Sequence, residues 1–157
     1  MDAYRRYAPA LLRKAERMLQ SHDDAQDIVQ AVFVELLQQP TPNTELAYLY
    51  RAVTNRCLNL LRDRSARARL LEHHDELLRG PIRVTCEQRT IDLDLLAKLA
   101  LVLDREAAEI LVYRFVDDMS QEEIAEFMGL SRKTIGVRLA RIRAAVTELA
   151  ADAGGAG

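Results

Sequence analysis

The stretch that decides the fold reads Ser120-Gln-Glu-Glu-Ile-Ala-Glu-Phe-Met-Gly-Leu-Ser-Arg-Lys-Thr-Ile-Gly-Val-Arg-Leu139. Ser120 followed by Glu123 is the capping-box pattern that begins a helix, and Gly129 permits the positive φ of a tight turn. Ser131 is placed to cap a second helix. A small residue, then Gly four positions later, then a β-branched residue after six more, is the spacing of a DNA-binding helix-turn-helix. The alternative is an ordinary pair of antiparallel helices.

The second helix of this motif has two different sides on a helical wheel. Ile135, Leu139 and Ile142 fall in one arc with Val146 and Leu149, which predicts the buried side. The opposite side presents small side chains bordered by basic ones, which suits close approach to a DNA groove. There Arg can read guanine or bind phosphate, and Val can contact a thymine methyl. We therefore expect duplex DNA to be contacted by Ser131, Arg132, Lys133, Thr134, Val137, Arg138 and Arg141.

Composition predicts an all-α protein with one ordinary domain or two small ones. The chain has 157 residues, of which 49% are hydrophobic and 29% charged, and Leu and Ala far outnumber β-branched residues. The net charge is only −2, yet residues 51–69 contain six arginines and one acid, and a second basic block covers 132–143. Two basic blocks suggest two contacts with a polyanion, and two solvated helix faces are the alternative.

Apolar periodicity extends the helical prediction to most of the chain. Helices are expected over about 2–20, 23–39 and 45–69, and again from about 91 to 116 with a break near Leu103-Asp104. Between them the periodicity weakens, and Gly80-Pro81 predicts a break. We therefore predict two small helical domains, 1–70 and 91–152, joined by a flexible linker, 71–90. The second is the helix-turn-helix domain, and a disordered tail, 153–157, follows it.

Segments of both predicted domains together resemble one known family. Asp23-Asp-Ala-Gln-Asp-Ile-Val-Gln-Ala-Val-Phe-Val-Glu35 and Leu49-Tyr-Arg-Ala-Val-Thr-Asn-Arg56 resemble the first domain of bacterial extracytoplasmic-function (ECF) sigma factors. The segment from Leu103 to Ser131 resembles their second domain. The resemblance implies a dissociable subunit of RNA polymerase that selects promoters and helps to open them. The first domain would dock on the β′ clamp helices and capture the −10 element, and the second would read the −35 element and meet the β flap.

The resemblance also implies functional residues in the first domain. Asp24, Asp27 and Gln30 match the polar positions of the polymerase-docking helix. The −10 element would be contacted through the loop 40–45 and the third helix, where an aromatic ring can stack on an unpaired base and an amide can bond to a base edge. The matching residues are Asn43, Thr44, Tyr48, Arg51, Asn55 and Arg62. Gly136-Val137 stands where the family commonly has a Lys-Ser pair. The family's −35 base preference is therefore not carried over to this chain.

Other functions find little support in the sequence. His22, His73, His74, Cys57 and Cys86 have no recognised metal spacing, and no phosphate loop or catalytic pair is present, so we expect no metal, no cofactor and no enzyme activity. No apolar run approaches the length of a membrane span, and no signal peptide is readable, which predicts a cytoplasmic protein without membrane insertion.

Two rival functions remain open. One is a stand-alone helix-turn-helix regulator of duplex DNA, and the other is a sigma-like protein that binds polymerase without reading promoters. An anti-sigma factor is a further conceivable partner under the sigma hypothesis. The regulon, the inducing signal and the promoter sequence are not readable from the chain.

Overall fold

Three helices form the first part of the chain. The computed structural model describes residues 2–71 and 92–155. In it α1 spans Asp2–Leu19, α2 spans His22–Gln38 and α3 spans Leu46–Leu71. The turn between α1 and α2 is made by Gln20, whose φ is 52°, and by Ser21, whose Oγ accepts a hydrogen bond from the backbone N–H of Asp24 at 3.3 Å. α2 therefore begins at His22, one residue earlier than its acidic residues predict, because Ser21 is its N-cap.

The core of this first part is built from apolar side chains of all three helices. Leu11, Ala15 and Met18 of α1 are fully buried, and α1 packs on α2 through residues such as Ala25 and Val29. α3 contributes a buried apolar side to this first unit, consisting of Leu49, Val53, Cys57 and Leu58.

Apolar side chains beside the loop between α2 and α3 lie outside the core. Leu37 of α2 is 62% exposed, and Leu46, the first residue of α3, is 42% exposed. Leu37 lies in the last turn of α2 and Leu46 in the first turn of α3, on either side of the loop between them. The adjoining ends of α2 and α3 therefore leave apolar side chains exposed to solvent.

Four shorter helices form the second part of the chain. α4 spans Leu93–Val102, α5 spans Arg105–Phe115, α6 spans Gln121–Met128 and α7 spans Arg132–Gly155. Asp92 and Asp104 cap α4 and α5, and Asp104 Oδ1 accepts from the N–H of Ala107 at 2.8 Å. α5 packs against α4, α6 and α7. It is therefore the central helix of this unit, and residues 107–113 are all buried.

Tyr113 of α5 makes a buried hydrogen bond within its own helix and a ring contact with α6. The Tyr113 hydroxyl donates to Glu109 Oε1 at 2.9 Å inside the core, so a buried carboxylate has a partner. The Tyr113 ring meets the ring of Phe127 edge to face, with centroids 5.1 Å apart. This contact sets the position of α6, the first helix of the predicted motif, on the central helix.

The described residues confirm the predicted class of two helical units without strands. By contacts the units divide at Asn59 and Leu60, within α3, whereas the sequence places the boundary near residue 70. The predicted linker with Gly80-Pro81 lies mostly outside the described residues. α7 continues to Gly155. It therefore includes the first three residues of the segment 153–157, for which the sequence predicts disorder.

Candidate nucleic-acid interface

The turn between α6 and α7 has the geometry that its sequence predicts. Ser120 Oγ accepts from the N–H of Glu123 at 3.1 Å, and Glu123 Oε1 accepts from the N–H of Ser120 at 3.1 Å, which completes the capping box. Gly129 ends α6 with φ 68° and ψ 31°, and the following Leu130 N–H donates to the carbonyl of Ala125 at 3.0 Å. A left-handed residue is tolerated there because glycine has no Cβ.

Two of the predicted DNA-contacting residues have a structural role at the start of α7. Ser131 Oγ accepts from the N–H of Thr134 at 3.0 Å and lies 2.8 Å from the Thr134 hydroxyl. The hydroxyl of Ser131 is therefore the N-cap of α7, as its position in the turn suggests. The Thr134 side chain is half-buried beside this cap.

The predicted sides of α7 agree with the structure. Ile135, Leu139 and Ile142 are buried, at 0%, 3% and 0% exposed. Val146 and Leu149, predicted on the same side, are half-buried. On the opposite side the exposed strip, which we define as Lys133, Val137, Ala140, Arg141 and Ala144, is open to solvent along its length.

The two cations of the exposed strip differ from Arg132 and Arg138 of the same helix. The side chains of Lys133 and Arg141 form no ion pair or hydrogen bond with another residue of the described ranges 2–71 and 92–155. Val137 is 47% exposed between them. Two uncommitted cations flanking small apolar side chains can bind phosphates or base edges of a duplex while the strip approaches the groove floor.

Arg132 and Arg138, also predicted at this interface, are held by carboxylates. Arg132 pairs with Glu122 at 3.0 Å, and both side chains are about 70% exposed, so a DNA phosphate can replace the carboxylate at small cost. Arg138 is only 27% exposed and lies against Glu106 and Asp104 at the start of α5. Arg132 can therefore exchange partners, and Arg138 is part of the packing between α7 and α5.

The predicted docking residues lie on the first turns of α2. Asp27 and Gln30 are exposed, and Asp24 is half-buried in the turn capped by Ser21. Gln30 also borders a surface groove of about 340 Å³ between α1 and α2, whose other walls include Tyr4, Leu12 and Val29. The polar positions and this partly apolar groove form one continuous surface that can receive a partner protein.

The predicted −10 residues are grouped around the start of α3. Tyr48 is 40% exposed, and its hydroxyl accepts from Gln39 Nε2 at 3.2 Å. Asn43 Oδ1 accepts from the N–H of Glu45 at 3.0 Å just before α3 begins. Thr44 is exposed, whereas Arg51 and Asn55 are half-buried further along the helix. The loop and the helix start therefore bring an aromatic ring close to polar side chains at one end of α3.

Arg62 stands apart from that group. Its Nε donates to the carbonyl oxygen of Ala100 in α4 at 2.6 Å. Both residues belong to the second unit, which begins at Leu60. The Arg62 guanidinium is thus already hydrogen-bonded to the backbone, which makes Arg62 a weaker candidate for a DNA contact.

Lys14 and Cys57 are two buried polar side chains of the first unit. Lys14 is fully buried, with Nζ 4.5 Å from the centroid of the Tyr50 ring. Burial raises the pKa of the Cys57 thiol to about 12, and the charge of Lys14 opposes this shift. Cys57 is therefore a neutral thiol at physiological pH and a poor nucleophile or metal ligand.

No cluster of three metal-binding side chains occurs within the described ranges. His73, His74 and Cys86 lie outside them, so the expectation that the chain binds no metal stays a prediction. Among helices of the part that the structure describes, none combines the length and hydropathy needed to cross a membrane.

Sequence reasoning missed several residues of this interface. Gln121, Glu122 and Glu106 each hold a residue of α7 from another helix, and none of them was predicted. The one available signal was Gly136, a helix-breaking residue in the interior of α7, which indicates that something lies close to the helix there. The contacts of Glu106 and Glu122 left no signal, since acidic side chains are common on any helix surface.

The fold and the site define a two-unit helical protein whose second unit presents a helix-turn-helix. Two family models match the chain, described as Sigma-70 region 2, over residues 3–67, and Sigma-70, region 4, over residues 93–146. Together they cover most of the chain, and only residues 68–92 separate them. The chain belongs to the sigma-70 family and acts in transcription initiation by binding core RNA polymerase and promoter DNA.

Comparison with solved structures gives one further similarity. The chain is similar to the sigma factor RpoE from Bartonella quintana, solved in a co-crystal with the anti-sigma factor NepR. The TM-score is 0.47 at 22% identity, and the match covers 94% of each chain. No curated protein matches the chain significantly.

Proposed function

We propose that the exposed strip of α7 reads the −35 element in the major groove, with Lys133 and Arg141 as its principal cations. The observation that supports this assignment is their exposure without ion partners in the described ranges, opposite the buried Ile135 and Ile142. Val137 lies between them and can contact thymine methyl groups. Arg132 joins them by exchanging Glu122 for a phosphate, while Ser131, Thr134 and Arg138 mainly hold the helix in place.

The first unit supplies the two other surfaces of the proposed function. Asp27 and Gln30, with Asp24 beside them, dock on the β′ clamp helices. The start of α3 captures the −10 element, with Tyr48 stacking on an unpaired base and Asn43, Thr44, Arg51 and Asn55 contributing polar contacts. The engagement of Arg62 with Ala100 argues for a smaller part in this group.

The remaining assignments follow from these partners. The second unit would meet the β flap, and the chain would work in the cytoplasm, where core polymerase is found, without catalysing a reaction itself. An anti-sigma factor is a proposed regulatory partner, which co-purification with a tagged chain would test.

The deciding experiment is transcription in vitro with purified bacterial core polymerase and a duplex library randomised at −35 and −10. We expect the chain to make core polymerase initiate from a selected subset with preferences at both elements. Without core polymerase the chain should bind DNA weakly, because its net charge is −2. Tight specific binding by the chain alone would favour the stand-alone regulator, and polymerase binding without selected promoters would favour the sigma-like protein.

A further inference from the structure

One side chain links the two helices of the helix-turn-helix in a way that the sequence did not predict. Gln121, the first residue of α6, donates from Nε2 to the carbonyl oxygen of Arg132 at 2.9 Å. Arg132 is the first residue of α7, and its side chain pairs with the neighbouring Glu122. Consecutive residues of α6 therefore hold both the backbone and the side chain of the residue that begins the recognition helix.

The amide of Gln121 occupies space that exists only because residue 136 is glycine. A Cβ built on Gly136 would lie 2.9 Å from Gln121 Nε2, which is closer than side-chain atoms approach each other. Because the amide is at the end of a flexible side chain, an alanine at this position would displace it rather than unfold the helix. Glycine in a helix interior is otherwise unfavourable, so its presence here fits a demand for space.

We propose that Gln121 and Gly136 form a positioning pair that fixes the direction of α7 relative to α6 and thereby presents the exposed strip to the −35 element. This inference rests on the proposed function. Neither residue needs to touch DNA. The pair limits the orientations that the recognition helix samples before binding, so that less order has to be gained when the duplex is bound.

The test compares two duplexes bound by holoenzyme. One is a promoter selected by the wild-type holoenzyme from the randomised library, and the other is the same promoter with its −35 hexamer scrambled. The quantity measured is the ratio of the two affinities for wild type, Gln121→Ala, Gly136→Ala and the double variant. Glu126→Ala, an exposed change in the same helix α6, is the matched control.

Each single variant should lower the ratio about three- to tenfold, the range expected for one hydrogen bond. The double variant should be no worse than Gln121→Ala alone, because both changes remove the same contact. Gly136→Ala should also keep or raise the thermal midpoint, since alanine favours the helix. Lower −35 preference at equal or higher stability is a result that a purely structural role would not produce.

The outcomes separate this inference from the proposed function. Unchanged ratios in the single variants, or additive losses in the double variant, would refute the positioning pair while leaving −35 recognition by α7 intact. A wild-type holoenzyme indifferent to the −35 sequence would refute the proposed function and the positioning pair together.

Discussion

The guanidinium of Arg138 lies against the carboxylate of Glu106, with Nη2 3.0 Å from Oε1. Its Nη1 is 3.6 Å from Oδ2 of Asp104, whose other oxygen caps α5. One arginine of the recognition helix is thus joined to the first turn of the central helix by two acids. A charge held in this way supports the orientation of α7, unlike the charges of Lys133 and Arg141 on the exposed strip.

The first prediction concerns the stability of this joint. Arg138→Ala should lower the free energy of unfolding by about 1–2 kcal/mol, because it leaves two carboxylates without their cation in a partly exposed site. Arg141→Ala removes the same charge from an exposed position of α7 and should change the free energy of unfolding by less than about 0.5 kcal/mol. Urea unfolding of both variants measures the difference. Equal stability of the two variants would contradict a structural role for Arg138.

These contacts show which parts of the molecule the sequence could predict. The Ser120–Glu123 box and the turn at Gly129 depend on residues within one helical turn, so their pattern was sufficient. The bonds Gln121–Arg132, Arg138–Glu106 and Arg62–Ala100 join residues far apart in sequence and depend on how helices pack. No periodicity encodes such contacts, so neither the family resemblance that carries Arg62 nor the helical wheel that carries Arg138 could predict the partner of either residue.

A second prediction follows from the burial of Cys57. Because its side chain is fully buried and its pKa is raised to about 12, it should stay protonated and resist thiol reagents at pH 8 in the folded protein. In a Cys86→Ser variant, which leaves Cys57 as the single thiol, labelling should proceed only as fast as the first unit opens. The matched measurement in urea should show complete labelling. Rapid labelling under native conditions would contradict the buried, neutral thiol.

The third prediction concerns docking on core polymerase. Asp27→Arg and Gln30→Ala should each weaken binding, by roughly 1–3 kcal/mol if each side chain makes a charged or buried interface bond. Both positions are exposed, so the fold should not change. Pull-down of core enzyme measures binding, circular dichroism checks the fold, and Asp2→Arg provides the same charge reversal on α1. Full retention by both variants would exclude this face of α2 from docking.

The fourth prediction separates promoter opening from base reading. Tyr48→Ala should impair transcription from duplex promoters more than from templates already unpaired around −10, because stacking on an aromatic ring contributes ~1–3 kcal/mol per base. Tyr48→Phe keeps the ring and loses only the bond from Gln39, so it should open promoters nearly as well as wild type. The two template forms are compared for each variant. Equal defects of Tyr48→Ala on both forms would argue against a role in strand separation.

The last prediction tests the two cations of the exposed strip. If Lys133 or Arg141 makes a bidentate guanine contact, its replacement by Ala should cost ~1–3 kcal/mol of promoter affinity and relax the preference at one −35 position. If it binds only phosphate, affinity should fall uniformly across sequences, and the salt dependence should become shallower by about one unit. Promoter affinity of the holoenzyme across a salt series distinguishes the two cases.

Arg143→Ala is the control for these variants, since Arg143 is also exposed on α7 but lies on the opposite flank of the helix. It should leave both the −35 preference and the salt slope nearly unchanged. The same series without core polymerase should show only weak, salt-sensitive binding by every variant. If Arg143→Ala reduced affinity as much as Arg141→Ala, with the same change in slope, the DNA would be attracted by the summed charge of α7, and the exposed strip would lose its assignment as the reading surface.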